Sequence, residues 1–169
     1  MTRRLMVTHK RSSERGFTLL AAGICAVALF GAAGLAVDIG RMYITKNEAQ
    51  TYSDAAAISA AIELDGTADG LGRADAAVVA STNKWNFATT VFSGTVTEYS
   101  ADGLTGWATS ATAAPATARY ARVTANVGNL PLFFLPMVGA ATSSIGFTTT
   151  VRASAVAGQV MRSDRKSVV

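Results

Sequence analysis

The fold is decided by the stretch "GAAGLAVDIGRMYITKNEAQTYSDAAAISAA", residues 31–61, which contains no proline and is apolar before it becomes amphipathic. Over residues 38–64, apolar side chains recur at intervals of three and four, which is the spacing of one face of an α-helix. A stop signal for a helix follows at Asp65-Gly66. We therefore predict one long helix, apolar in its first half and two-sided in its second. The residues predicted on its apolar face are Ile39, Met42, Ala49, Tyr52, Ala56, Ala60 and Leu64.

Toward the N-terminus the same helix extends into a membrane-spanning stretch. Residues 17–37 carry no charge, and at about 1.5 Å per residue they are about 31 Å long, close to the hydrocarbon thickness of a bilayer. Five basic residues precede the stretch, whereas Asp38 follows it at once. Because positive charge is retained in the cytoplasm, we predict a cytoplasmic N-terminus, with the chain from residue 38 onward across the membrane.

The start of the apolar run raises the question of whether it is cut. The sequence "ERGFTLLAAG", residues 14–23, has the form of a type IV prepilin processing site, at which cleavage after Gly16 would leave Phe17 as the new N-terminus. Such pilins carry a glutamate at the fifth mature position, where its charge compensates the terminal amine inside an apolar bundle. Ala21 stands there and cannot do so, and an uncompensated charge in apolar surroundings is costly. We therefore expect an uncut anchor, with processing as an alternative.

A cleaved secretory signal peptide is a second alternative. Small residues near positions 34–36 could serve a peptidase. Against this, the apolar run continues to Val37 and passes directly into a helix-forming segment, so we expect the anchor to be retained.

Beyond the long helix the pattern changes. We predict a second, shorter helix over residues 73–87, and strands over 95–99, 119–127 and 145–157, where apolar side chains alternate with polar ones. Residues 100–118 are rich in Gly, Ser, Thr and Ala and are predicted to form a mobile loop. The fold class is therefore α+β, with a long N-terminal helix packed against a small antiparallel sheet and a second short helix. The side chains predicted to face the core are Ala121, Val123, Ala125 and Val127 in the second strand, and Ile145, Phe147, Val151, Ala153 and Ala155 in the third.

The basic character of the chain is confined to its ends. The formal net charge is +4, but residues 1–15 contribute +4 and residues 162–169 contribute +2, so that the rest of the chain carries −2. A basic groove with interleaved aromatic residues, which nucleic-acid binding would need, is therefore not predicted. We interpret the basic ends as topology signals or solvated tails.

Few residues offer groups for catalysis. His9, the single histidine, precedes the apolar run, and Cys25, the single cysteine, lies inside it, so no Ser-His-Asp or Cys-His pair is predicted in the outer domain. The spacing of Asp65, Asp69 and Asp75 departs from that of a calcium-binding loop. We therefore predict no catalytic, cofactor or metal site and no small-molecule substrate.

Two features of the long helix are candidates for contact with a partner. Small residues recur at every fourth position, which lets another membrane helix approach closely, although alanine is also simply common in bacterial anchors. Asp38 and Arg41 are three residues apart and form a helix-surface pair at the membrane boundary. This pair either anchors the helix at the interface, with Arg41 at the lipid headgroups, or presents Asp38 to a partner anchor. The small residues are Ala28, Ala32, Ala36 and Gly40.

Two elements of the helix resemble a known family. They are "AVDIGR", residues 36–41, and "DAAAISAA", residues 54–61, and they are similar to the N-terminal module of the TadE/TadG-like proteins of tight-adherence (Flp) pilus systems. The late segments "ARVTANVGNLPLFFLPMVG" and "VRASAVA" resemble the family's late strand, aromatic segment and closing strand, so that the similarity spans residues 15–157.

The resemblance implies a non-catalytic component of the bacterial inner membrane that assists pilus assembly or forms a minor part of the pilus, with other inner-membrane pilus-assembly proteins as partners. The predicted organisation is a cytoplasmic basic tail (1–15), a transmembrane helix (16–37), a periplasmic TadG-like α+β domain (38–157) and a basic C-terminal tail (158–169). A processed minor pseudopilin and a secreted small domain remain as alternatives. Longer relatives add a von Willebrand A-type domain, but the acidic residues here form no DxSxS metal-binding pattern, so a metal-dependent adhesive role is not implied.

An aromatic run, Leu132-Phe133-Phe134-Leu135, needs burial. We expect it to belong to the core, packed on the alanine-rich face of the long helix. The alternative is a docking patch for another pilus component.

Overall fold

The structure is a computed structural model that describes residues 14–109, 114–135 and 149–159. Within these ranges two helices precede five strands, which confirms the predicted α+β class. The helices are α1 (Glu14–Glu63) and α2 (Ala68–Ala80), and the strands are β1 (Lys84–Trp85), β2 (Thr90–Val91), β3 (Gly94–Ser100), β4 (Tyr120–Val127) and β5 (Val151–Gly158).

Helix α1 is the single long helix that the sequence predicts. It runs without interruption for 50 residues, which is about 75 Å at the usual rise, and it contains no proline. It ends at Glu63, shortly before Gly66, whose φ of 82° is a left-handed conformation that favours glycine. The apolar N-terminal half and the folded domain are therefore joined by one continuous element.

The second half of α1 supplies one wall of the core. Its buried side chains are mostly alanines, which lets the sheet and α2 approach the helix closely. The prediction is wrong for Ile39, which is 54% exposed, because the buried face passes through Asp38 and Thr45 instead. Met42 is only partly buried. The predicted residues that are buried are Ala49, Tyr52, Ala56, Ala60 and Leu64.

The three-stranded sheet packs on this face of α1 in the order β3-β4-β5, and both strand pairs are antiparallel. The register pairs Tyr99 with Ala121 and Ala121 with Ala157, so these side chains share one face of the sheet. The predicted core positions Ile145 and Phe147 lie outside the described residues. The other predicted core positions are buried or, for Ala155, partly buried: Ala121, Val123, Ala125, Val127, Val151, Ala153 and Ala155.

Helix α2 differs from the predicted second helix, which the sequence places over residues 73–87. It begins five residues earlier because Thr67 caps it, with the Thr67 hydroxyl accepting a hydrogen bond from the Gly70 N–H at 3.1 Å. Two glycines in its first turns conceal this start in the sequence. It ends at Ala80, and the residues that follow form the hairpin of β1 and β2.

This hairpin closes one end of the core. Trp85 is buried, and its indole N–H donates to the Val91 carbonyl at 3.3 Å. Phe92 stacks on Tyr52 of α1, with the ring centroids 5.1 Å apart. Residues 86–88 turn the chain in a left-handed conformation, with φ values of 53°, 58° and 63°. Three successive non-glycine residues in this conformation need support from elsewhere in the fold.

The predicted loop of residues 100–118 is described over 101–109 and 114–118. It is ordered locally by Asp102, whose carboxylate accepts the Thr105 N–H at 2.8 Å. Trp107 then lies on the outer face of the sheet, beneath the guanidinium of Arg122, whose carbon is 4.4 Å from the ring centre. The mobility of this loop stays a prediction.

Candidate functional site

The first half of α1 presents large apolar side chains to its surroundings. Seven of them are 64–76% exposed. Among the described residues, α1 is the one helix that is long and apolar enough to cross a membrane, by length and composition. A continuous apolar surface of this kind is unfavourable in water and suited to lipid. The seven side chains are Phe17, Leu19, Leu20, Ile24, Val27, Leu29 and Phe30.

Asp38 is the most unusual residue of the helix, because it is charged and fully buried. Its carboxylate accepts three backbone hydrogen bonds, from the N–H groups of Phe133 at 2.9 Å, Phe134 at 2.9 Å and Leu135 at 2.7 Å. Burial by itself would raise the pKa of Asp38, but the three donors and the nearby Arg41 outweigh burial and hold that pKa below its usual value. Asp38 therefore stays ionised and fixes residues 133–135 against α1.

The aromatic segment, residues 131–135, thus packs on α1 at the end of its apolar half. A methyl group placed on Gly34 would overlap the Phe134 ring, so only glycine admits the ring there. The Arg41 guanidinium carbon lies 4.9 Å from the centre of the Phe133 ring. The expectation that this run belongs to the core is wrong for its two phenylalanines, which are 57% and 40% exposed. The two rings pack on α1 to the N-terminal side of its alanine-rich face, because Asp38 binds the backbone of these residues there.

A second acid of α1 supports the left-handed turn in the same way. The Glu48 carboxylate accepts the N–H of Asn86 at 2.8 Å and that of Phe87 at 2.9 Å. Neither N–H belongs to a helix or to a strand pair, so the carboxylate satisfies donors that the turn leaves free. The helix therefore holds two loops of the domain through carboxylates, at two points ten residues apart.

The small residues of the predicted packing face, Ala28, Ala32, Ala36 and Gly40, are all exposed. A methyl group placed on Gly40 would meet no other atom of the described residues. Residues two positions apart in a helix are separated by about 200° around its axis, so Ala36 and Gly40 point away from Gly34 and Asp38. The structure therefore separates Asp38 from the small-residue face and gives it a partner within the chain. Packing of this face against another helix stays a prediction.

The remaining predicted sites are placed as follows. Gly16 and Phe17 lie in the first turns of α1, and cleavage between them stays a prediction.

Within residues 14–109, 114–135 and 149–159, no three His, Cys, Asp or Glu side chains cluster so as to hold a metal. Of the three aspartates after α1, Asp65 binds Thr67 and Arg73, and Asp75 accepts the Tyr99 hydroxyl at 2.7 Å. His9 lies outside the described residues.

The junction that Asp38 forms with the backbone of residues 133–135 was not predicted from the sequence. Its donors are backbone N–H groups some ninety-five positions from Asp38, and every non-proline residue carries such a group. The available signal was the combination of an acid directly after an apolar helix half and an aromatic run with no strand or helix pattern of its own. Neither feature identifies the other as its partner.

Fold and junction together define a class of protein: a small α+β domain built on the second half of a helix whose first half could span a membrane. Residues 16–63, nearly the whole of α1, match the model of a family described as putative Flp pilus-assembly TadE/G-like. This match confirms the predicted resemblance over that segment and relates the chain to pilus assembly. No curated protein and no solved structure matches the chain. The resemblance of the late strands stays a prediction.

Proposed function

We propose that this chain is a non-catalytic, single-pass component of a bacterial tight-adherence (Flp-type) pilus assembly or secretion apparatus. In this proposal the N-terminus is cytoplasmic, residues 16–37 cross the inner membrane, and residues 38–157 form a periplasmic domain. The observation that carries the proposal is the match of residues 16–63 to a pilus-assembly family, on a helix whose first half exposes apolar side chains and whose second half is core.

The chain works through helix faces and protein contacts. The face of Ala28, Ala32, Ala36 and Gly40 is directed away from the domain, so a second membrane helix can reach it without displacing any described part of the chain. Small residues let the two helix backbones approach closely, which is how membrane helices gain packing energy. The partner is another inner-membrane pilus-assembly protein.

The contacts of Gly34 and Asp38 bear on the two alternatives. Signal-peptide cleavage that leaves a start near Val37 would remove Gly34 and leave Asp38 beside the new N-terminus, so it would disrupt the contacts of the aromatic segment with α1. Cleavage after Gly16 would leave those contacts intact. A processed minor pseudopilin is therefore the second candidate, although Ala21 offers no charge to a new terminal amine.

Mass spectrometry of the N-terminus, on protein purified from its native membrane, separates the three readings. An intact start near Met1 supports the proposed anchor, a start at Phe17 supports the pseudopilin, and a start near Val37 supports the secreted domain. Loss of pili on deletion of the gene tests the link to assembly, and unchanged piliation would argue against it.

The packing face is tested by disulfide crosslinking in native membranes. In a Cys25→Ala background, Ala32→Cys should crosslink to an inner-membrane pilus-assembly protein engineered with cysteines along its own membrane helix. The matched control is Val27→Cys, which lies on the opposite side of the same helix. Equal crosslinking from both positions would show that this face has no special role.

A further inference from the structure

We propose that the aromatic segment, residues 131–135, is a second membrane contact of this protein. Its phenylalanines insert into the interfacial layer of the same bilayer that α1 crosses, on the periplasmic side. This inference rests on the proposed membrane anchoring and adds to it a surface of the domain that contacts lipid.

The depth of the segment follows from its contacts with α1. The Phe134 ring lies on Gly34, which is three residues before Val37, the last residue of the charge-free run. At the rise of an α-helix this places the ring about 4.5 Å inside the end of the predicted span. The backbone of residues 133–135 is bound by Asp38, the first residue beyond the span. The segment therefore lies at the level where hydrocarbon gives way to headgroups.

The exposure of the segment fits a lipid surface. Phe133 and Phe134 are adjacent and remain 57% and 40% exposed, although the domain has a core available. Exposed aromatic and aliphatic side chains at the edge of a membrane bury their apolar surface at the boundary of headgroups and acyl chains. Their position beside an exposed apolar helix half makes one continuous surface with it, so the bilayer that covers the helix also covers the rings.

The backbone of the segment is prepared for surroundings poor in water. Irregular chain in or near hydrocarbon leaves N–H groups without partners, which is costly, and it is tolerated only where the protein supplies acceptors. Asp38 supplies acceptors for three consecutive N–H groups, those of Phe133, Phe134 and Leu135. With these acceptors the backbone of residues 133–135 can lie in surroundings poor in water without unpaired N–H groups.

Arg41 completes the contact toward the headgroups. Its guanidinium lies over the Phe133 ring, and its buried Nε finds no hydrogen-bond partner among the described residues. Arg41 lies three residues, or about one helical turn, beyond Asp38, and this places it at the level of lipid phosphates. An arginine there extends its charged end to phosphate while its stem covers apolar surface. The buried Nε is out of reach of lipid, so contact with an anionic or zwitterionic headgroup is made by the terminal nitrogens of the guanidinium, on a side chain that is only partly buried.

The test uses nitroxide spin labels on the full chain in vesicles of phosphatidylethanolamine and phosphatidylglycerol. Native Cys25 reports on the anchor, and Phe133→Cys in a Cys25→Ala background reports on the segment. The control is Leu104→Cys, an 82% exposed apolar position in the loop between β3 and β4. The loop begins at Ser100, which pairs with Tyr120, and Tyr120 also pairs with Gly158. Gln159, the next residue, donates to the Ile62 carbonyl near the C-terminal end of α1, so the loop lies at the end of the domain that is away from the predicted span.

We expect the labels at positions 25 and 133 to be accessible to oxygen and severalfold less accessible to a water-soluble nickel chelate than the label at 104. Pro131→Cys provides a second position in the segment that leaves the stack of Arg41 on Phe133 in place, and unchanged circular dichroism shows that each variant folds. A lipid-shielded Cys25 with water-accessible labels at 131 and 133 overturns this inference and leaves the anchor standing. A water-accessible Cys25 overturns both.

Discussion

At the scale of single residues, three acids of this chain act as acceptors for backbone N–H groups of irregular segments. Asp38, Glu48 and Asp102 each accept two or three such donors from irregular segments. Hydrogen bonds to a charged acceptor are stronger than those between neutral groups, so one carboxylate can order several residues of loop. These three carboxylates therefore order the loops that they contact.

Replacing Asp38 should release the aromatic segment while sparing the core. Asp38→Ala removes the acceptors of three N–H groups, so we expect amide hydrogen exchange at residues 133–135 to accelerate by about tenfold or more. Exchange in β4 should change little, because that strand is held by its neighbours in the sheet. The measurement is hydrogen exchange of the detergent-solubilised protein followed by mass spectrometry.

The matched control for this prediction is Asp54→Ala on the same helix. Asp54 is exposed and accepts a hydrogen bond from the Gln50 side chain at 2.8 Å, far from the aromatic segment along the helix, so its loss should leave residues 133–135 unchanged. Equal exchange in the wild-type chain and in Asp38→Ala would contradict the role assigned to Asp38.

Asp65 should make the stability of the domain depend on acid pH. Hydrogen bonds from Thr67 and Arg73 lower the pKa of Asp65 to about 2. This pKa is below the ordinary aspartate pKa of about 3.9. The charged carboxylate therefore stabilises the fold when the pH is above about 3.9, and this stabilisation is lost as the pH falls toward 2. The difference in melting temperature between the wild-type chain and Asp65→Asn should therefore be constant above about pH 5 and shrink toward pH 2.

Asp69→Asn is the control for the pH profile, because Asp69 lies nearby in the first turn of α2 and is exposed. Its difference from the wild-type chain should not follow the same curve. A constant difference for Asp65→Asn down to pH 2 would show that the hydrogen bonds of Asp65 do not favour its charged form.

At the scale of elements, α1 performs three tasks with different parts of its surface. Its first half faces outward in all directions, its second half forms the core, and Gly34 and Asp38 seat the aromatic segment between the two. These tasks share one helix, so the angular position of each face is set by the same 3.6-residue repeat. Any break in the helix near residue 40 would change the relation between the halves.

Gly40 provides a direct test of this continuity. Gly40→Pro removes a backbone hydrogen bond and introduces a clash, at a cost of about 3 kcal/mol, and the kink should move Gly34 away from Phe134. Gly40→Ala should instead stabilise the isolated protein by about 0.5–1 kcal/mol, because alanine favours the helix and the position is open. Thermal unfolding in detergent measures both, and equal stability of the two variants would show that the helix need not be continuous there.

At the scale of the whole molecule, the chain is stabilised unevenly along its length. Among the described residues, the buried core positions run from Ala49 to Ala153, where α1, α2 and the sheet meet. The N-terminal half of α1 has no such packing among the described residues. Its helix is stabilised by apolar surroundings, because such surroundings offer no hydrogen-bond partners and the backbone groups can pair only within the helix. The two halves therefore respond to heat for different physical reasons.

We predict that heating the protein in detergent unfolds the domain while the anchor stays helical. Trp85 is buried in the core, so its fluorescence should report the complete loss of the domain in one transition. Far-ultraviolet circular dichroism at the same temperature should retain the signal of roughly twenty helical residues, the length needed to span a bilayer. Complete loss of ellipticity at the fluorescence midpoint would contradict an independent anchor.

The sequence was sufficient for features that depend on periodicity. The course of α1, the inward face of β4 and the inward face of β5 follow from side-chain spacing, and they are found in the structure. The third strand begins at Val151, and residues 149 and 150, which the sequence assigns to it, precede it. The start of α2 was missed because the Thr67 cap precedes two glycines that resemble a turn. The seat of the aromatic segment was missed because it depends on backbone donors, which leave no mark in the pattern of residue types.

The continuity of α1 has a mechanical consequence for the domain. In a bilayer thinner than its apolar half, a membrane helix tilts to keep that half covered. Because no flexible joint separates the two halves of α1, the domain must lean by the same angle. Lipid composition would then set the inclination of this domain over the membrane surface, and hence the direction in which it faces its neighbours.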